Sequence, residues 1–377
     1  MRILHTADWH IGKKLLRKDL FEDKQYVMDQ LIEYIKENPV DAVVIAGDLY
    51  DTTQPSKEAM QFVNDTLKII NIDLGTPTLI ISGNHDSQAR LSYASDWFKA
   101  MNVTIHTTIE DALKPVSFGD VDFYLVPYFD VLEIRHHFDD PSIETHHDVY
   151  ARVVESIRKV MDKNKTNIFV GHLFVRGGTE SESERSLFRG LSSEVDPRMF
   201  DAFDYVLLGH LHHPFAIDVN NIHYAGSLLK YSFSEANQPK GFRVIDTEAD
   251  GGSRFIPFQL LRECIIFEGH YDDVIHGRVE EKLGIDDNKD AFYQFVLDGL
   301  EGITEPMARI QKIYPNALEL KRNIKRKNTE SNTSLKSLSS DGDVFDQFLN
   351  AYLDDALKTE AERLFKKHFK EDQDETN

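Results

Sequence analysis

The chain has 377 residues, 41% hydrophobic and 28% charged, the composition of a globular protein with room for two or three domains. One cysteine, Cys264, excludes a disulfide framework and a multi-cysteine zinc site, and a net charge of −21 excludes a protein that coats nucleic acid by bulk positive charge. No apolar run approaches the ~20 residues of a membrane span, and the first residues lack a signal-peptide layout, so a cytoplasmic protein without membrane contact is expected.

Short apolar runs at 3–7, 41–46 and 78–82 predict buried strands, with further candidates at 121–126, 167–170, 205–208, 222–225 and 242–245. Between the early strands, 21–36 places Val27, Leu31 and Ile35 near one helical face, and 56–70 and 88–101 look similar. Strands alternating with helices predict a layered α/β or α+β domain over 1–256. Residues 257–321 mix short strand-like runs with helix-like patterns at 274–283 and 306–313, the signature of a small α+β domain. A basic run at 321–327 opens a linker at 322–340 rich in Ser, Asn and Thr. Then Val344, Phe345, Phe348, Leu349, Tyr352 and Leu353 recur at helical spacing, so 341–370 reads as a helical segment needing a surface to cover it. Residues 371–377 read as a disordered acidic tail.

Five motifs each follow or end a strand-like run: Asp8-Trp9-His10, Gly47-Asp48-Leu49-Tyr50-Asp51, Gly83-Asn84-His85-Asp86, Gly171-His172 and Gly209-His210-Leu211-His212. Loops leaving the carboxyl ends of strands converge in layered folds, so five of them can meet. Any one Gly-Asp or Gly-His pair is uninformative; the signal lies in the ordered set. Asp, His and Asn without a thiolate suit divalent ions such as Mn²⁺, Mg²⁺, Zn²⁺ or Fe²⁺. Asp8 and His10, two apart in an extended segment, can reach one ion. His210 and His212 can serve one ion or two neighbours, and a carboxylate such as Asp48 can bridge a pair. Two ions ~4 Å apart activate a water and clamp a phosphoryl group. His85, beside Asn84, is placed to stabilise the transition state or protonate a leaving oxygen.

This ordered set resembles the calcineurin-like metallophosphoesterase superfamily. Within it, residues 3–12, 47–51, 81–86, 224–227 and 240–242 resemble the nuclease subunits of bacterial DNA-repair complexes. The resemblance implies a four-layered αββα core, a small α+β capping domain at 257–321 and two Mn²⁺ ions. It assigns Asp8, His10 and His212 to one ion, Asn84, His172 and His210 to the other, and Asp48 to both. His85 becomes the catalytic histidine that is not a ligand, while Asp51 and Asp86 orient ligands. It further implies 3′→5′ exonuclease action on duplex DNA and endonuclease action on single strands and hairpins. The implied partner is a coiled-coil ATPase docked on 341–370, in a heterotetramer built on a homodimer, nucleoid-associated when on DNA.

The alternatives are a phosphatase of the same superfamily, disfavoured by the material after 257, and a non-catalytic subunit with structural metals, disfavoured by the complete ligand set. A chain at −21 should bind duplex DNA weakly and with steep salt dependence, even with two cations at the site.

Overall fold

The computed structural model describes residues 1–184, 193–248 and 252–323, so the linker beyond Asn323, the helical segment 341–370 and the acidic tail lie outside the described residues. Strands β1 (Arg2–Thr6), β2 (Ala42–Ala46), β3 (Thr78–Ile81) and β4 (Val103–His106) pair in parallel. Strands β5 (Val116–Phe118), β6 (Val121–Val126) and β7 (Thr166–His172) begin a second sheet. A short pair, β8 (Phe174–Val175) and β9 (Glu194–Val195), stands apart from it. Strands β10 (Tyr205–Gly209) and β11 (Ile222–Tyr224) complete the order β11-β10-β7-β6-β5. Then β12 (Gly241–Asp246) and β13 (Ser253–Pro257) return to the first sheet as β13-β12-β1-β2-β3-β4.

Side-chain alternation along these strands builds the layers. Leu4, Val43, Ile45 and Ile80 face out, against Val27, Leu31 and Ile35 of α1 (Phe21–Glu37) and Ala59 and Val63 of α2 (Lys57–Lys68). Ile3, Val44 and Leu79 face in, against Phe123, Ile168 and Leu207 of the second sheet. The opposite face of that sheet, with Tyr124, Phe169 and Val206, packs on α3 (Val131–Phe138) and α4 (His146–Arg158). Burial on both faces explains why these strands read as nearly unbroken apolar runs. The result is the expected αββα sandwich.

The region after Pro257 forms a parallel sheet of β14 (Cys264–His270), β15 (Phe292–Asp298) and β16 (Ala317–Arg322), with short helices between the strands. One face packs Phe267, Tyr293, Phe295 and Tyr314 into a core of its own. The helix expected at 274–283 is two, Tyr271–Ile275 and Val279–Leu283, because Gly277 takes a left-handed φ of 66° between them. The helix expected at 88–101 also breaks, at Ala94 with φ 61°, into Gln88–Leu91 and Ser95–Lys99. Tyr93 and Trp97 are each 80% exposed while Leu91 is partly buried against the core, too small an apolar face to hold one continuous helix. Strands β4, β5 and β13 were not expected; β4 and β13 are sheet-edge strands, and β5 has only three residues. Among the described residues no helix is long and apolar enough to cross a membrane.

Phe123, fully buried between the sheets, tests the layered core. Phe123→Ala should lower unfolding free energy by about 3–5 kcal/mol in chemical denaturation.

Candidate metal centre

The carboxyl ends of β1, β2, β3, β7 and β10 meet at one edge of the sandwich, and the five motifs occupy it. Main-chain bonds zip the first two loops together past their strands: Asp8 N to Gly47 O (3.1 Å), His10 N to Asp48 O (2.9 Å) and Ile11 N to Leu49 O (2.9 Å). Asp8, His10, Asp48 and His210 all take left-handed φ values, between 42° and 96°. So Asp8 and His10 do not share a side because the segment is extended, as the spacing suggested; the loop turns sharply at both. Such backbone costs about 1–3 kcal/mol per residue and persists only where the surroundings enforce it.

Two glycines permit the approach. A Cβ on Gly83 would lie 2.1 Å from Asp48 Oδ1 and 2.5 Å from Asp48 N. A Cβ on Gly209 would lie 2.1 Å from the carbonyl oxygen of Ala46. Only bare backbone fits at either place.

The side chains converge. Asp8, His10 and His212 present donor atoms within 4.8 Å of one another, and so do Asp8, Asp48 and His172. His10 Nε2 and His212 Nε2 are 3.2 Å apart. His172 Nε2 is 3.0 Å from Asn84 Oδ1 and 3.4 Å from Asp48 Oδ2. The ring of His210 meets that of His172 edge-on at 5.4 Å, and its main-chain N–H donates to both oxygens of Asp8 at 3.1 Å. His85 sits against His10, with ring centres 4.7 Å apart, and its main-chain N–H donates to Asp48 Oδ1 at 2.9 Å.

The surrounding groups set the imidazoles. His172 Nδ1 donates to Ala46 O (2.8 Å) and His85 Nδ1 to Asp51 O (2.7 Å), leaving each Nε2 toward the cluster. The Asp86 carboxylate accepts from the N–H groups of Leu49, Tyr50 and Gly83, buckling the second loop to the third. Asp51 acts on His85 through its carbonyl, while its carboxylate pairs with Lys13 at 3.0 Å.

Several contributors were not foreseen. Behind His212, Ser183 Oγ and Glu235 Oε1 lie 2.7 and 3.4 Å from Nδ1. Glu235 pairs with Lys240 at 2.5 Å, both fully buried, and Lys240 also holds His212 O and Ser227 Oγ. Glu184 accepts from His212 N at 2.6 Å. The similarity noted at 224–227 and 240–242 pointed at Ser227 and Lys240; nothing in the sequence tied Ser183, Glu184 or Glu235 to a histidine far away. Trp9, inside the first motif, is fully buried and donates to Thr6. His146, outside the five motifs, is buried in the first turn of α4.

Burial holds His10 and His210 well below the usual imidazole pKa and lowers His212, so all three are neutral donors. Burial lifts the Asp8 carboxyl well above its usual range. Burial opposes both charges of the Asp48–His172 pair, but each sustains the other: Asp48 stays well below the carboxylate range and His172 rises to about 9. In that pair a proton balances Asp48. A buried set of neutral imidazoles and carboxylates with no thiolate fits a divalent cation in that role.

Fold and site together define a metal-dependent phosphoester hydrolase. The family model for calcineurin-like phosphoesterases matches residues 1–214, and the model described as the type 5 capsule protein repressor C-terminal domain matches 258–352. The chain is 42% identical over 371 residues to the SbcD subunit of the nuclease SbcCD from Staphylococcus saprophyticus, covering 97% of both chains. The chain therefore belongs to the SbcD family of calcineurin-like phosphoesterases. Solved structures similar to it include a Thermus thermophilus protein (11% identity, 68% of this chain and 98% of that one, TM-score 0.40). Another is Yfce, a phosphoesterase from E. coli (12% identity, 66% and 90%, TM-score 0.28).

Gly83→Ala should push Asp48 and Asn84 apart. It is expected to cost about 1–3 kcal/mol in denaturation and to abolish part of the divalent-ion binding measured by calorimetry.

Proposed function

We propose that the chain is the nuclease subunit of an SbcCD-type complex and hydrolyses DNA phosphodiesters with two divalent ions, Mn²⁺ by preference. The observation that carries this reading is the buried Asp/His cluster at the meeting edge of two sheets, in a chain 42% identical along nearly its whole length to a nuclease subunit. Asp8, His10 and His212 would hold one ion, Asn84, His172 and His210 the other, and Asp48 both. When bound, such a pair supplies a hydroxide-like water and positive charge for the phosphoryl oxygens.

The chain's own residues do the rest. His172 and His212 are aimed by Ala46 O and by Ser183 with Glu235. Asp86 keeps the loops carrying Asp48 and Asn84 in register. His85, fixed at Nδ1 by Asp51 O, presents Nε2 for the transition state or the leaving oxygen. Asp51 and Asp86 thus act by orientation. The 3′→5′ exonuclease action, the single-strand and hairpin cleavage, the homodimer and an SbcC-type ATPase on 341–370 belong to the same proposal, in the cytoplasm. Their support is membership of the family and the match of the C-terminal model to 258–352.

A local feature supports DNA contact despite the net charge of −21. Lys13, Lys14, Arg17 and Lys18 follow the first motif in the turn that leaves the metal centre at His10. Lys14 and Arg17 are exposed; Lys14 overhangs a groove of about 490 Å³ whose other charged lining residues are Asp19, Asp51 and Glu58. Lys13 pairs with Asp51 and Lys18 with Asn316, so the two exposed cations, Lys14 and Arg17, are the ones offered to a phosphate backbone near the site. The double variant Lys14→Glu, Arg17→Glu should raise KM for duplex DNA with little change for bis(p-nitrophenyl) phosphate. A phosphatase of small monoesters would show neither effect.

His85→Ala should slow cleavage of end-labelled linear duplex by about 10²–10⁴-fold with Mn²⁺ still bound. Full cleavage by that variant would refute the role given to His85, and monoester turnover far above diester turnover would favour the phosphatase alternative.

A further inference from the structure

Lys24, in the first turn of α1, is 1% exposed. Lysines buried this deeply almost always meet a carboxylate. Among the described residues Lys24 forms no ion pair; its ammonium donates to the carbonyl of His10 and to that of Lys13 (3.3 Å). It also lies 5.1 Å from the centre of the Tyr231 ring, a cation–π contact. Tyr231 in turn donates its hydroxyl to Trp9 O at 2.6 Å and sets its ring edge-on to His10 (5.5 Å) and His212 (5.6 Å).

Three carbonyls of one loop, those of Trp9, His10 and Lys13, are therefore held by two side chains from elsewhere in the chain. That loop carries His10 at φ 42°, a conformation that needs enforcement. A buried ammonium is a costly way to anchor a helix, and a methionine would pack as well. It is a good way to tie down the carbonyl oxygens of His10 and Lys13, and so the loop that aims the His10 imidazole.

We propose that Lys24, seated on Tyr231, is a positioning residue for the cation held by His10 and His212. The inference rests on the two-ion reading above. It distinguishes the two ions: the Lys24 contacts reach the Asp8–His10–His212 side, whereas His172 is fixed by Ala46 and contacts Asn84. Displacing Lys24 loosens one site and leaves the other.

The test is a manganese titration of the metal-free chain, with free Mn²⁺ read by electron paramagnetic resonance. The wild-type chain should bind two ions. Lys24→Met should keep one at wild-type affinity and weaken the other by about 10–100-fold, the range for lost support around a metal ligand. Excess Mn²⁺ should restore its bis(p-nitrophenyl) phosphate hydrolysis, which a merely destabilised fold would not show. Tyr231→Phe, which keeps the ring and loses the bond to Trp9, should weaken the same ion to a smaller degree and decides the matter if Lys24→Met fails to fold. Wild-type affinity for both ions in a folded variant, or equal loss of both, would overturn the inference. A wild-type chain that binds no ion would instead overturn the two-ion reading, and the inference with it.

Discussion

Two carboxylates and several imidazoles packed out of water at one edge of the molecule form the constraint on which the rest of the structure depends. Asp8 and Asp48 are 0% and 2% exposed, and no lysine or arginine pairs with either among the described residues. An isolated buried carboxylate is far too costly to keep, so such a group neutralises or acquires a cation. Much of the neighbouring architecture serves to hold these groups in place against that cost: the left-handed turns, the loops zipped past their strands, the Asp86 buckle and the Glu235–Lys240 pair behind His212.

The same arrangement explains why two sheets are needed. Asp8, His10, Asp48 and Asn84 come from loops of the first sheet, while His172, His210 and His212 come from the second. The inter-sheet core of Ile3, Val44, Leu79, Phe123, Ile168 and Leu207 thus fixes the distance between the halves of the site. The small C-terminal sheet is tied in beside it. Arg262 binds Glu22 and Asp23 in the first turn of α1, and Lys18 of the basic turn binds Asn316. Through Lys24, the residue after Asp23, that turn also grips the His10 loop.

The sequence made the sandwich legible because strands buried on both faces leave unbroken apolar runs, as at 121–126, where expectation and structure coincide. It failed where little is buried, at 88–101, and at strands such as Val116–Phe118, too short to show a period. The motif residues were legible because ligand-competent types stand at strand ends, four of the five motifs opening on a glycine. Lys24, Tyr231 and Glu235 were not. Each acts through a contact made only by folding: Lys24 on a main-chain carbonyl, Tyr231 on Trp9 O, and Glu235 on a histidine 23 residues away. The backbone strain at Asp8, His10, Asp48 and His210 leaves no signal in residue type, since none is glycine.

The central claim is that this buried cluster is a two-cation site. Anomalous diffraction at the manganese edge, from crystals of the chain grown with Mn²⁺, tests it most directly. The account predicts two peaks ~4 Å apart flanking Asp48, one against Asp8, His10 and His212 and one against Asn84, His172 and His210. A single peak, or none within reach of Asp48, would contradict it.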